Sequence, residues 1–430
     1  MTARGAALLL APLPLLAVSA AVAPLRWVAL ALLVAAAAAI AVDGRRAPSR
    51  ARLRAVRELE EPLSVGRPNP VRLRIEVDGG GRHRAVVRDE HPPDMRASVE
   101  VSRLWIPGEA GYALTPPVRG RRDFGRTVVR VEGPWGLGWR QSALGDPVPV
   151  RVDPDLSAVR SYEALARRGQ LAEMGVRSLR RPGEGTEFER VRDAVPDDPL
   201  RTINWRATAR SGRLMATELI PERAQPVIVC LDHGRLMGVG AGELTKLDLA
   251  INAALLLVHV ALRTGDRAGL LAFDDRVTVA LAPRAGRGQL RAVLDAVQPL
   301  RAGLIEADYD EALGYLSRWQ RRRALLAIFT DVLDPDQGAA LLRQCARLRR
   351  HHLPLVITVR DPALDDAARL RPRQAEDAYA RAVAGGILAD REASLQILRR
   401  SGVDTLDADA RTLSPRLVNR YLELKRRARL

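Results

Sequence analysis

Two charge-free apolar runs open the chain, residues 5–25 and 27–42, interrupted by Arg26. They predict a transmembrane helix hairpin over residues 1–43, with a tight turn at Pro24-Leu25-Arg26. The second run has 16 residues; at a rise of about 1.5 Å each it reaches roughly 24 Å, near the lower limit for a span. Residues 44–57 follow as a basic juxtamembrane linker. Over residues 58–155 the pattern shortens. Val71, Leu73, Ile75 and Val77 alternate with Arg72, Arg74 and Glu76, one face buried and the other wet. Val148, Val150 and Val152 repeat this, and Gly79-Gly80-Gly81, Pro92-Pro93, Pro107-Gly108 and Pro116-Pro117 supply turns. Short strands at turn spacing predict a small β-sandwich.

Residues 156–225 form a connector rich in both charge signs, with a short helix expected to start at Asp198 and carry Pro199 in its first turn. From residue 226 the apolar runs become continuous. Residues 227–231, 268–273, 325–329 and 355–359 read as strands covered on both faces. Residues 246–263 make a strongly apolar helix, and Leu341, Cys345 and Leu348 form the inner stripe of another. This alternation over residues 226–362 predicts a doubly wound parallel sheet, so the fold class is α/β. Residues 363–430 read as a mostly helical C-terminal extension.

Charge refines the picture. The formal net charge is +17, and all but Lys246 and Lys425 of the 68 basic residues are arginines. Arg45, Arg46, Arg50, Arg52, Arg54 and Arg57 stand against Asp43 alone just after the apolar runs. The positive-inside bias then predicts a cell-membrane protein with two spans and its bulk in the cytoplasm. The competing reading, a cleaved signal peptide with Arg4 as its charged region, is disfavoured by the second apolar run directly behind it. Aromatic residues are 4% of the chain, too few for stacking platforms, so a nucleic-acid binder ranks below anionic head groups as a partner for the basic surface. Two cysteines, Cys230 and Cys345, exclude a disulfide scaffold and a Cys-cluster metal site. The sequence contains neither a GxxxxGK[ST] phosphate loop nor HExxH. No small-molecule substrate is indicated.

In an open α/β sheet, ligands meet the carboxyl ends of the strands. Asp232 ends the first buried strand and Thr330-Asp331 the third. Here the chain resembles a von Willebrand factor A-like domain, whose metal-ion-dependent adhesion site begins Asp-x-Ser-x-Ser and ends with an Asp, often after Thr. The resemblance implies a Mg²⁺ site on Asp232 and Asp331, with Asp308 or Asp310 contributing from another loop. Gly234 and Leu236 stand where the serines belong and supply no side-chain oxygen. A degenerate site without an ion is therefore the favoured reading, with Asp232, Thr330 and Asp331 as a partner-binding rim.

The connector carries a second resemblance. Gly183, Glu187, Phe188, Arg192, Asp198, Arg201, Asn204, Trp205 and Arg210 are similar to the signature of the bacterial family numbered 58 among the domains of unknown function. Gly133-Pro134-Trp135-Gly136-Leu137 upstream and Leu417-Val418-Asn419-Arg420-Tyr421 downstream extend it. Ala194, Asp197 and Asn204 depart from the residues common at those positions. Physically, the connector's acids and arginines suit an ion-pair clasp or a docking surface. What the resemblance implies is a membrane-anchored, non-catalytic scaffold or adaptor beside a MoxR-type AAA+ ATPase, in assembly or maturation of protein complexes. The alternatives are a metal-dependent hydrolase, or a binder of nucleic acid or anionic lipid.

Overall fold

The computed structural model describes residues 1–18, 24–176, 187–195, 198, 200–220, 225–332 and 335–426. The chain divides into two compact units, Met1–Asp153 and Pro154–Leu430.

In the first unit, helix Leu25–Arg46 is long and apolar enough to cross a membrane. Trp27, Val28, Leu30, Leu32 and Val34 are exposed along it. The described part of the first apolar run holds two short helices, Ala3–Leu10 and Leu13–Val18, and residues 19–23 of that run lie outside the described residues. Pro12 and Pro14 explain the break, since proline lacks an N–H and is tolerated only in the first turn. Of the expected turn at residues 24–26, Leu25 and Arg26 already lie in the long helix, with Pro24 at its N-cap.

That helix is fastened to the strands at its far end. Asp43 is fully buried and its carboxylate accepts the N–H groups of Trp135, Leu137 and Gly138 at 2.7–2.8 Å. Gly138 is required there, because a Cβ would lie 2.5 Å from the carbonyl oxygen of Ile40.

Two four-stranded antiparallel sheets follow. One contains Leu53–Leu59, Asn69–Val77, Gly108–Thr115 and Arg96–Ala97; the other contains Trp139–Leu144, Thr127–Glu132, His83–Asp89 and Ser102–Ile106. Leu53, Leu73 and Ile75 from the first share a core with Val87, Ile106, Val129 and Val131 from the second. The sheets thus pack face to face, as the alternation predicts. The first strand begins at Leu53, inside the expected linker 44–57. There, Leu53 and Ala55 alternate with Arg52 and Arg54, and the density of arginine masks the strand period.

In the second unit, six strands run in the order Val277–Arg284, Arg267–Phe273, Pro226–Asp232, Leu325–Phe329, Leu353–Val359 and Asp404–Ala408. Neighbouring strands are parallel except for the first pair, which is antiparallel. Side chains alternate across the sheet. Val227, Val229 and Leu231 enter the core under helix Lys246–Arg263, whereas Ile228 and Cys230 enter the opposite core with helices Tyr309–Trp319, Pro335–Leu348 and Ala375–Arg400. Burial on both faces explains why these strands read as unbroken apolar runs.

The C-terminal segment is mostly helical, as expected, but it belongs to the sheet and its cores. Asp404–Ala408 completes the sheet beside Leu353–Val359. Helix Leu413–Arg426 places Leu413, Leu417, Tyr421 and Leu424 in the core that contains the Lys246–Arg263 helix. Part of the connector belongs to that core too: helix Ser157–Arg168 contributes Val159 and Tyr162.

Candidate functional site

Asp232 and Asp331 lie where two adjacent parallel strands end, and their surroundings differ sharply. Asp232 is 3% exposed. It accepts the N–H of Gly234 at 2.7 Å and the hydroxyl of Thr330 at 2.6 Å. Thr330 in turn lies 2.8 Å from the Tyr309 hydroxyl. All these partners are neutral. Burial therefore pushes the Asp232 carboxyl up to about 6, against the pull of the two hydrogen bonds.

Asp331, fully buried, is held by two cations. Lys246 Nζ approaches Oδ2 at 2.5 Å, and Arg391 donates to Oδ1. Lys246 is itself 1% exposed. It occupies the first turn of helix Lys246–Arg263, where a positive charge opposes the helix dipole. The Thr245 hydroxyl caps that turn, accepting the Asp248 N–H at 3.1 Å and donating to the Asp248 carboxylate at 2.6 Å, fixing the backbone from which Lys246 reaches the acid. Arg391 comes from helix Ala375–Arg400 and also donates to Asp407 at 2.8 Å and to the Val359 carbonyl at 3.3 Å. Asp407 further accepts the Thr358 hydroxyl at 2.9 Å and Arg360 Nε at 2.7 Å. Burial raises the Asp407 carboxyl, but Arg391, Arg360 and Thr358 outweigh it and hold the group below its usual range.

This donor set does not fit the Mg²⁺ that the adhesion-site resemblance implies. A divalent ion needs free oxygen ligands, and both oxygens of Asp331 already face protein cations. Each unit of like charge at 4 Å costs roughly 4 kcal/mol at an effective dielectric of 20. Asp308, the third expected ligand, caps helix Tyr309–Trp319 by accepting the Glu311 N–H at 2.9 Å. Asp310 lies beside Gln344, 2.6 Å away, on the exposed side of that helix.

Nor are Asp232, Thr330 and Asp331 a contact rim, since all three are buried. Two segments, residues 233–240 and 299–308, meet beside Asp232. Arg235 N–H donates to Ile305 O at 2.8 Å, Gly303 N–H donates to His233 O at 2.7 Å, and Arg235 pairs with Glu306 at 2.6 Å. Gly234 permits this closeness, because a Cβ would lie 2.9 Å from the Ile305 oxygen. The loops present Leu304, 92% exposed, with Ile305 and Val239 also exposed. Sequence reading passed over this ledge because Leu304 and Ile305 belong to no periodic run. It also passed over Lys246, whose signal was being one of two lysines in the chain, at a helix start. Arg391 had no signal among so many arginines.

The signature residues are brought together only in part. Gly183 lies outside the described residues, as do the side chains of Glu187, Phe188 and Arg201. Strands Glu187–Asp193 and Met215–Ile220 pair antiparallel. Arg192 grips Asp198 bidentately, both contacts at 2.8 Å. With the Val195 N–H, that pairing holds the Asp198 carboxyl below its usual range. The helix expected from Asp198 starts instead at Trp205. Asn204 is its cap, accepting the Ala207 N–H at 3.0 Å, and Asp198 is committed to Arg192. Trp205, Arg206 and Arg210 are exposed on this short helix.

Residues 190–381 match the family described as "Protein of unknown function DUF58". Uncharacterized proteins of Mycobacterium tuberculosis and Mycobacterium bovis are 29% identical to the chain over 183 residues, which is 42% of this chain. The match spans 57% of those curated relatives' length. Among solved structures, the conserved hypothetical protein BatB from Bacteroides thetaiotaomicron is similar over 47% of this chain and 100% of its own, with 13% identity and a TM-score of 0.33. An uncharacterized membrane spanning protein from Vibrio fischeri is similar over 47% of this chain and 98% of its own, with 16% identity and a TM-score of 0.18.

Proposed function

We propose that the chain is a membrane-anchored, non-catalytic adaptor of the DUF58 family, with a von Willebrand factor A-like α/β unit, working beside a MoxR-type AAA+ ATPase. In this reading the N-terminal segment forms a two-span anchor and the remainder of the chain is cytoplasmic. The observation that carries it is the strand-end arrangement. Both acids that would hold an ion are buried, Asp331 paired with Lys246 and Arg391 and Asp232 with neutral donors, while Leu304 and Ile305 on the neighbouring loop are exposed. Hydrolysis assisted by a metal needs an accessible acid with open ligand positions. Protein recognition needs an apolar anchor on a positioned loop, which the ledge supplies. The buried network then acts as an internal clasp that fixes those loops.

The test is a pull-down of the full-length chain from detergent-solubilised membranes. Wild type is expected to recover the ATPase. Leu304→Asp with Ile305→Asp is expected to lower recovery by at least about tenfold, with an unchanged melting temperature. Failure to recover the ATPase with wild type, or equal recovery with the variant, overturns the reading.

A further inference from the structure

The end of the apolar helix that is fastened by Asp43 opens into a cleft of about 400 Å³, lined by Arg45, Arg46, Arg52, Arg140, His83 and Asp78 among others. Four guanidinium groups there meet one carboxylate. Arg140 donates to the carbonyls of Arg45 and Ala47 at 3.2 and 3.3 Å, and the Asp78 N–H donates to the Arg52 carbonyl at 2.8 Å. The backbone of the cleft is thereby fixed on both sides. Among the described residues, no carboxylate lies within ion-pairing distance of Arg45 or Arg52.

We infer that this cleft binds the phosphate headgroup of an anionic phospholipid. Position decides the occupant. Residues 27–42 carry no charge, and Arg45 and Arg46 form the last turn of the same helix. A helix that crosses the hydrocarbon places that turn at headgroup depth. Forked guanidinium groups match phosphate oxygens bidentately, and a basic pocket at a helix end on the cytoplasmic face is where anionic headgroups concentrate. The Asp43 latch adds geometry to charge, because it locks the strand carrying Arg140 to the helix carrying Arg45. The site is therefore built, unlike a polybasic tail. The inference rests on the membrane-anchor reading.

The experiment reconstitutes the full chain in phosphatidylcholine nanodiscs with and without phosphatidylglycerol and counts retained lipids by native mass spectrometry. Wild type is expected to retain phosphatidylglycerol. Arg45→Gln with Arg52→Gln is expected to retain about tenfold less. Arg50→Gln with Arg54→Gln removes the same charge from outside the cleft and is expected to behave as wild type. Equal losses in both variants, or no loss in either, overturn the inference. So does inorganic phosphate that raises the melting temperature in detergent as much as phosphatidylglycerol does. Carbonate washing separates the two readings: a chain released from membranes defeats the anchor, whereas a chain that stays and retains no phosphatidylglycerol defeats the lipid site alone.

Discussion

Lys246 and Asp331 are mutually dependent, since neither reaches solvent. Removing one partner of a buried pair strands the other's charge, at a cost of about 3–5 kcal/mol, whereas replacing both with apolar groups is often close to neutral. Asp331→Asn alone should therefore destabilise the chain by about that much in urea titration. Asp331→Asn combined with Lys246→Met should recover a large part of the loss. Additive single and double effects would show that the two groups are not coupled. Asp232 provides a second test through pH. Its folded carboxyl is raised from 3.8 to about 6, so between those values the folded chain holds a proton that the unfolded chain releases. Its contribution to stability is thus largest below pH 4 and declines as pH rises towards 6. Asp232→Asn keeps the shape and lacks the titration. Melting temperatures from pH 4 to 7 should then decline less steeply with rising pH in the variant than in wild type; identical slopes would remove Asp232 from the pH response.

At the level of elements, the loop 133–138 and the end of the Leu25–Arg46 helix form one latch. Asp43→Ala leaves three N–H groups without their acceptor, and an unmade buried hydrogen bond costs about 1–3 kcal/mol. Amide exchange at residues 135–138 should accelerate at least about tenfold in the detergent-solubilised variant; unchanged protection would contradict the latch. The Gly-Pro-Trp-Gly-Leu segment was recognisable as a motif, but its role was not, because its partner is 92 positions away in sequence. The same limit runs through the fold. Strands buried on both faces were legible as unbroken apolar runs, and the sandwich as an alternation. Asp404–Ala408 escaped because two of its five residues are aspartates, tolerable there only because Arg420 pairs with Asp404 and Arg391 with Asp407. The N-terminal helices escaped where prolines cut an apolar run that composition alone reads as continuous.

Across the molecule, the functional reading changed in kind between sequence and structure. Asp232 and Asp331 were legible as strand-end acids, and they do sit at adjacent strand ends. The burial of Asp331 was not legible, since it depends on Lys246 and Arg391 arriving from helices 85 and 60 positions away. Asp232 accepts the N–H of Gly234, which lies against Ile305, and the proposed recognition surface is accordingly Leu304 and Ile305. The most direct measurement is photo-crosslinking in native membranes from a probe amino acid at position 304 of the full-length chain. The account predicts a discrete adduct containing a MoxR-type AAA+ ATPase, lost when Ile305→Asp is added. An adduct with lipid alone, or no adduct from a properly folded and membrane-associated chain, would contradict it.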